Sequence, residues 1–284
     1  MSRSGLAGRW RRSVFVALLA FATALALAFL LVPLVAIFLR VPPRELVAQL
    51  GSEVAVDALV VTLKANAIAQ ALILAIGTPA AYLIASRRFR GRALVVTLVE
   101  LPLVLPPAVA GLALLAAFGR LGLLGGTFDA LGASISFTQT AVVLAVAYVA
   151  SPFYLRQAIA SFETLDQPLL DASRTLGAGP ARTFFRIALP LAARGLSAGA
   201  ALSFARGIGE FGATIMFAGS LQGVTQTLSL AVYAQFDLNF DVALALGALL
   251  VIISAAILLT VRLLPAWTRS SSISLFPFAR FGSS

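Results

Sequence analysis

Four ionisable side chains stand inside or beside long apolar stretches of this 284-residue chain: Lys64, Glu100, Arg206 and Glu210. A charge facing hydrocarbon is unfavourable, so each is a candidate for ion recognition or gating unless it reaches an interface or an opposite charge. Lys64 lies near one end of its stretch, where a flexible stem lets the ammonium snorkel to water. Glu100 follows Arg92 by eight residues and precedes Pro102, which favours the interface or pairing with an Arg there over a substrate role. Arg206 and Glu210 are spaced i, i+4, which puts them on one face of a continuous helix, a third to a half of the way through a bilayer and among Gly207, Gly209 and Gly212. Two readings are open for them. One is a mutually neutralising structural pair with helix-packing glycines; the other makes Arg206, Gly207, Gly209 and Glu210 part of a gate or translocation path. Without His or Cys, the chain has no imidazole base, thiol nucleophile, disulfide or zinc finger, and no metal site is expected.

The elements that must position these groups follow from composition. Sixty per cent of the residues are apolar and 11% charged, with a mean hydropathy of +1.00; a soluble chain would carry about a quarter charged residues. Six runs approach the roughly 20 residues a helix needs to cross hydrocarbon: Val14–Leu39, Ala65–Ser86, Ala93–Gly119, Phe137–Leu155, Gly195–Gly219 and Val242–Val261. They are continuously apolar, unlike the short alternating strands of a membrane barrel, so the fold class is all-α, a polytopic membrane protein with six transmembrane helices. The first run follows Arg3, Arg9, Arg11 and Arg12 as a signal peptide would, but at 26 residues it is too long for one and reads as a span.

Net charge is +10, and in this setting it marks orientation rather than nucleic-acid binding. Sixteen Arg fall in the N-terminus, the Arg87–Arg92 turn, the Arg156–Arg194 connection and the C-terminal end, against only Arg40, Arg44 and Arg120 on the other side. Both termini are therefore expected in the cytoplasm: a basic N-terminus over 1–13, a six-helix domain over 14–264 and a tail over 265–284. The expected location is a membrane, crossed several times.

The 156–194 connection is amphipathic, with Phe162, Leu165, Leu169, Leu170, Leu176, Phe184, Phe185, Ile187 and Leu189 among its charges. Asp166 can cap a first short helix, and Gly179-Pro180 can start a second. Apolar residues outside the membrane must bury against this chain or another protein. Within the connection, Asp171-Ala172-Ser173, then Gly177, Ile187 and Leu189-Pro190, are similar in spacing to the EAA-loop signature of ABC importer permeases of type I, with Asp for the usual Glu and Ser for the second Ala. The resemblance implies that these seven residues form an ATPase-coupling loop in which Gly177 supplies a bend and a helix docks in a groove of the ATPase. Leu101-Pro-Leu-Val-Leu-Pro-Pro107, Phe118-Gly-Arg120 and Gly209-Glu-Phe-Gly-Ala-Thr214 look like the molybdate branch of the molybdate, tungstate and sulfate permeases.

That resemblance implies a prokaryotic inner-membrane location and two permease copies around one path, a homodimer for a single six-helix unit, with two ATPase subunits and an extracytoplasmic oxyanion-binding protein. No cofactor is expected in this chain, since a phosphate-cradling loop requires Gly-x-x-x-x-Gly-Lys-Ser/Thr and the single lysine, Lys64, follows Val61-Thr62-Leu63; ATP would be held by the partner subunit. The expected function is the membrane subunit of an ATP-driven oxyanion importer, molybdate first, with sulfate or tungstate import or a secondary transporter as alternatives. An integral-membrane enzyme would need a cluster of catalytic groups around a cavity, and the sequence has none.

Overall fold

The computed structural model describes residues 3–270 other than Arg88 and Ala133. Among them there are helices and no strands. They are α1 (Arg3–Arg40), α2 (Pro43–Leu50), α3 (Glu53–Ser86), α4 (Arg92–Val104), α5 (Pro107–Phe118), α6 (Gly125–Ala130), α7 (Gln139–Glu163), α8 (Gln167–Thr175), α9 (Pro180–Thr183), α10 (Leu189–Ile208), α11 (Gly212–Ala218), α12 (Leu228–Phe236) and α13 (Phe240–Ser270), with a π-helical segment Phe184–Ala188 joining α9 to α10. Five helical stretches are long and apolar enough to cross a membrane, and six when α4 and α5 count as one span.

Two of the six expected runs are broken. α4 and α5 meet at 114° across Leu105 and Pro106, both extended (ψ 134° each). Pro106 and Pro107 cannot donate to a helical ladder, and a residue preceding proline is forced out of the helical region. The pair still crosses once: Arg92 at its start pairs with Glu163 at the last residue of α7, whereas the chain leaving α5 returns to Thr138, the N-cap of α7. The run Gly195–Gly219 stops at Ile208 and restarts at Gly212. At the ends, helix α1 includes the basic stretch from Arg3 onward, and α13 runs to Ser270, so it continues into the first residues of the expected tail; residues 271–284 lie outside the described residues.

The centre of the bundle is α3 against α7, joined through small residues. Ala65 and Ala69 meet Ala141, Val142 and Ala145, all buried, and Gly77 lies against Tyr154, whose ring would stand 3.1 Å from an added Cβ. Between helices in lipid, close approach and van der Waals packing replace the hydrophobic drive available in water. At the Glu163 end the layer widens into Tyr82, Phe162 and Phe184, with ring centroids 5.3 and 4.9 Å from Tyr82. At the opposite end α12 and α13 close over Ala55 and Ala58 of α3. The span within α1 has 0% of its residues buried and presents its apolar surface outward.

Candidate functional site

The break between α10 and α11 places Arg206 and Glu210 differently from a continuous helix. Gly207-Ile208-Gly209 ends α10, with Glu210 N–H donating to the Gly207 carbonyl at 3.1 Å. Glu210 thus sits in the gap rather than on a helical face. Its Oε1 accepts from Ala213 N–H of α11 at 2.8 Å, and its Oε2 is 2.7 Å from Arg206 Nη2. The carboxylate is 1% exposed and the Arg206 side chain 26%. One side chain therefore neutralises the last turn of α10 and satisfies an orphan donor of α11, as irregular backbone inside a membrane requires.

Three side chains that the sequence reading did not single out hold this gap in place. Asn66 of α3, fully buried, donates from Nδ2 to the Phe204 carbonyl at 2.9 Å. Ser229 of α12 donates to the Glu210 carbonyl at 2.6 Å. Thr62 accepts from Leu228 N–H at 2.7 Å, satisfying the start of α12. Gly207 is needed here: an added Cβ would strike Asn66 Oδ1 and approach Val146 Cγ1 to 2.9 Å. The signal that could have found them is the polar series Thr62, Asn66, Gln70 at i, i+4, i+8 within an apolar run. Gln70 and the Thr214 hydroxyl bury their polar atoms without a hydrogen-bond partner among the described residues.

Asn66, which serves the gap, is the fourteenth of the 34 residues of α3 and stands 16 residues, about 24 Å of helix, from Tyr82 toward the other end. Gly209, grouped with the candidate path residues, has open space around it. Across the gap, α5 packs against α11: an added Cβ on Gly212 would meet Pro107 Cβ at 2.7 Å, and one on Gly111 would meet the Ala213 carbonyl oxygen at 2.7 Å. The two broken spans thus touch through glycine and proline at the gap.

The residues expected to form a coupling loop gather at the Glu163 end. Asp171, Ala172 and Ser173 lie on α8. The Ser173 hydroxyl is buried, donating to the Leu170 carbonyl at 2.7 Å and lying 3.2 Å from Thr183 Oγ1. Gly177 turns the chain at φ +83°, a left-handed conformation natural to glycine. Gly179-Pro180 does start a helix, but not a second short one: α9, the π segment holding Ile187, and α10, which begins Leu189-Pro190, form one path into the span. Leu176 is 88% exposed and Phe185 63%, two apolar side chains that the rest of the described chain leaves uncovered. Of the two other ionisable residues, Glu100 pairs with Arg156 at 3.5 Å, the interfacial pairing expected for it, and Lys64 reaches Gln139.

A family model described as the binding-protein-dependent transport system inner membrane component matches residues 77–269. The chain belongs to this family. Its match takes in α4, α5, the coupling segment and the α10–α11 gap. Among similar permeases, the molybdenum transport system permease protein ModB of Mycobacterium tuberculosis is 42% identical over 235 residues, 83% of this chain and 89% of that one. The probable transport system permease protein NifC of Clostridium pasteurianum is 34% identical, covering 85% of each chain. The sulfate transport system permease protein CysW of Synechococcus elongatus is 35% identical over 72% of this chain and 73% of that one. In fold, this permease is similar to a chain of the bacterial alginate ABC transporter crystallised with an alginate pentasaccharide-bound periplasmic protein (TM-score 0.74, 16% identity, covering 91% and 96%). It is also similar to a chain of the MetNI methionine ABC transporter (TM-score 0.58, 20% identity, covering 75% and 95%). The chain is thus a multi-pass inner-membrane permease of all-α fold.

Proposed function

We propose that this permease is the membrane-spanning subunit of an ATP-driven importer of a tetrahedral oxyanion, molybdate. The observation that carries the substrate is the 42% identity to the ModB permease over nearly the whole of both chains. A divalent oxyanion cannot enter hydrocarbon unaided, so two permease copies would enclose a path and expose it to each side in turn. ATP hydrolysis would reside in two copies of a separate ATPase, docked on the exposed apolar surface around Leu176 and Phe185 and coupled through Asp171, Ala172, Ser173, Gly177, Ile187, Leu189 and Pro190. An extracytoplasmic binding protein would deliver the anion at the α7 N-terminal end. Both termini would face the cytoplasm.

In this reading Arg206 and Glu210 belong to the gate, near the outer mouth. Arg206 is the one basic side chain at the gap among the described residues, partly exposed, and its charge is held in check by a buried carboxylate that also anchors α11. Movement of α11 relative to α10 would alter that pairing and change how strongly the path attracts an anion. The 35% identity to the CysW sulfate permease supports sulfate as the second reading. Uptake into energised vesicles carrying the assembled complex should be saturable with radiolabelled molybdate and resist a large excess of sulfate. Sulfate uptake that molybdate fails to inhibit would replace the first reading with the second.

A further inference from the structure

On the face of the α3–α7 pair away from Asn66, a groove of about 300 Å³ runs down from Lys64. Its walls are Val61, Ile68 and Leu72 of α3 and Val143 and Leu144 of α7, and its polar atoms gather at one end, at Lys64, Gln139 and Thr140. The Lys64 ammonium donates to Gln139 Oε1 at 3.0 Å, and no carboxylate lies within 4 Å of it among the described residues. An ammonium has three donors, so beside one amide it keeps its net charge and donor capacity for an anionic partner at this exposed position.

The dimensions match half a bilayer. Gln139 opens α7, so Lys64 stands at the end of α7 opposite the coupling segment, eleven residues into α3, and a lipid whose phosphate reached it would belong to that leaflet. From Lys64 to Leu72 is eight residues, about 12 Å along the helix, close to the roughly 15 Å depth of one leaflet's hydrocarbon. At Leu72 and Leu144 the groove meets a second apolar cavity, of about 390 Å³, between α3, α5 and α7. We propose that this groove is a binding site for an anionic phospholipid, with the phosphodiester on Lys64 and the Gln139 amide and an acyl chain along Ile68, Leu72 and Leu144. Charge selects the headgroup: a zwitterionic lipid fills the apolar groove equally well but leaves the lysine charge without a net anionic partner. Positive charge is otherwise sparse on this side of the chain, so the site ties the permease to the anionic lipid of that leaflet at one defined place.

The test reads the groove locally. In the full-length chain within its assembled complex, with Trp10 and Trp267 replaced by Phe, Ile68→Trp places a fluorophore in the groove. Vesicles of phosphatidylcholine are doped with brominated phosphatidylglycerol or, separately, brominated phosphatidylcholine. The expected result is about fivefold tighter quenching by the glycerol lipid, the preference one lysine near an anionic headgroup confers. Lys64→Arg should keep that preference, and Lys64→Gln should abolish it. Should Lys64→Gln fail to assemble, Gln139→Glu supplies a local counter-charge and should abolish the preference in the same way. Equal quenching by both lipids in the Lys64 protein overturns the proposal, and so does the absence of quenching by either, which would mean that a second copy or another subunit covers the groove.

Discussion

Glu210 carries two separable jobs, and substitutions can divide them. Glu210→Gln keeps an oxygen to accept from Ala213 N–H but leaves Arg206 without a counter-charge; Glu210→Ala removes both. Breaking a buried ion pair from one side costs about 3–5 kcal/mol, and Arg206, a quarter exposed, recovers part of that through water. Loss of the capping acceptor adds about 1 kcal/mol. Thermal unfolding of the purified complex should therefore rank wild type above Glu210→Gln and that above Glu210→Ala. If the pair gates the path, assembled Glu210→Gln complex should hydrolyse ATP with an altered yield of anion per ATP, measured in vesicles; an unchanged yield would leave the pair structural. The exchange Arg206→Glu with Glu210→Arg restores neutrality but sets a guanidinium where Ala213 N–H needs an acceptor, so it should not recover wild-type stability.

Among the elements, α8 and its turn are the most sharply testable. Gly177 has φ +83°, and an added Cβ there meets nothing within 4 Å. Any effect of substitution within the chain is therefore backbone strain, of about 1 kcal/mol for an ordinary residue. Asn and Asp both tolerate this conformation better than other residues and differ mainly in charge. If an ATPase docks on this turn, Gly177→Asn should retain the subunit in a pull-down, whereas Gly177→Asp should weaken its retention by tenfold or more through a desolvated charge. Equal retention of the subunit by both variants would move the docking surface elsewhere. The α10–α11 gap shows the same economy at the level of spans: Gly207 makes room for Asn66, and Gly212 for Pro107, so the contacts that hold the broken helices depend on missing side chains.

For the whole molecule, the testable property is orientation. The structure separates the two ends of the bundle, with Arg92, Glu163 and the coupling segment at one and Thr138, Gln139 and Lys64 at the other. By the positive-inside rule the sixteen-to-three distribution of Arg would put the first end in the cytoplasm. Because the chain has no native cysteine, Ser134→Cys and Thr164→Cys, both at exposed positions, can be labelled singly. In intact cells an impermeant maleimide should reach Ser134→Cys alone, and Thr164→Cys only after permeabilisation. The reverse pattern would turn the bundle over.

Spans of this chain were legible in the sequence because hydropathy is additive along a helix: any 20 apolar residues satisfy the membrane locally, wherever their neighbours lie. The turn at Gly177 was legible too, because a left-handed backbone is a local requirement that favours glycine. What only the tertiary structure decided was the course of the chain inside two of those spans. A run such as Gly195–Gly219 reads as continuous because every residue in it tolerates hydrocarbon. Whether its backbone can afford to break depends on donors and acceptors from elsewhere: Asn66, 138 residues before the carbonyl it serves at Phe204, and Ser229, 19 residues beyond Glu210. Arg206 and Glu210 could be paired from their spacing. That the carboxylate also caps α11 follows from contacts that become local only once the chain has folded.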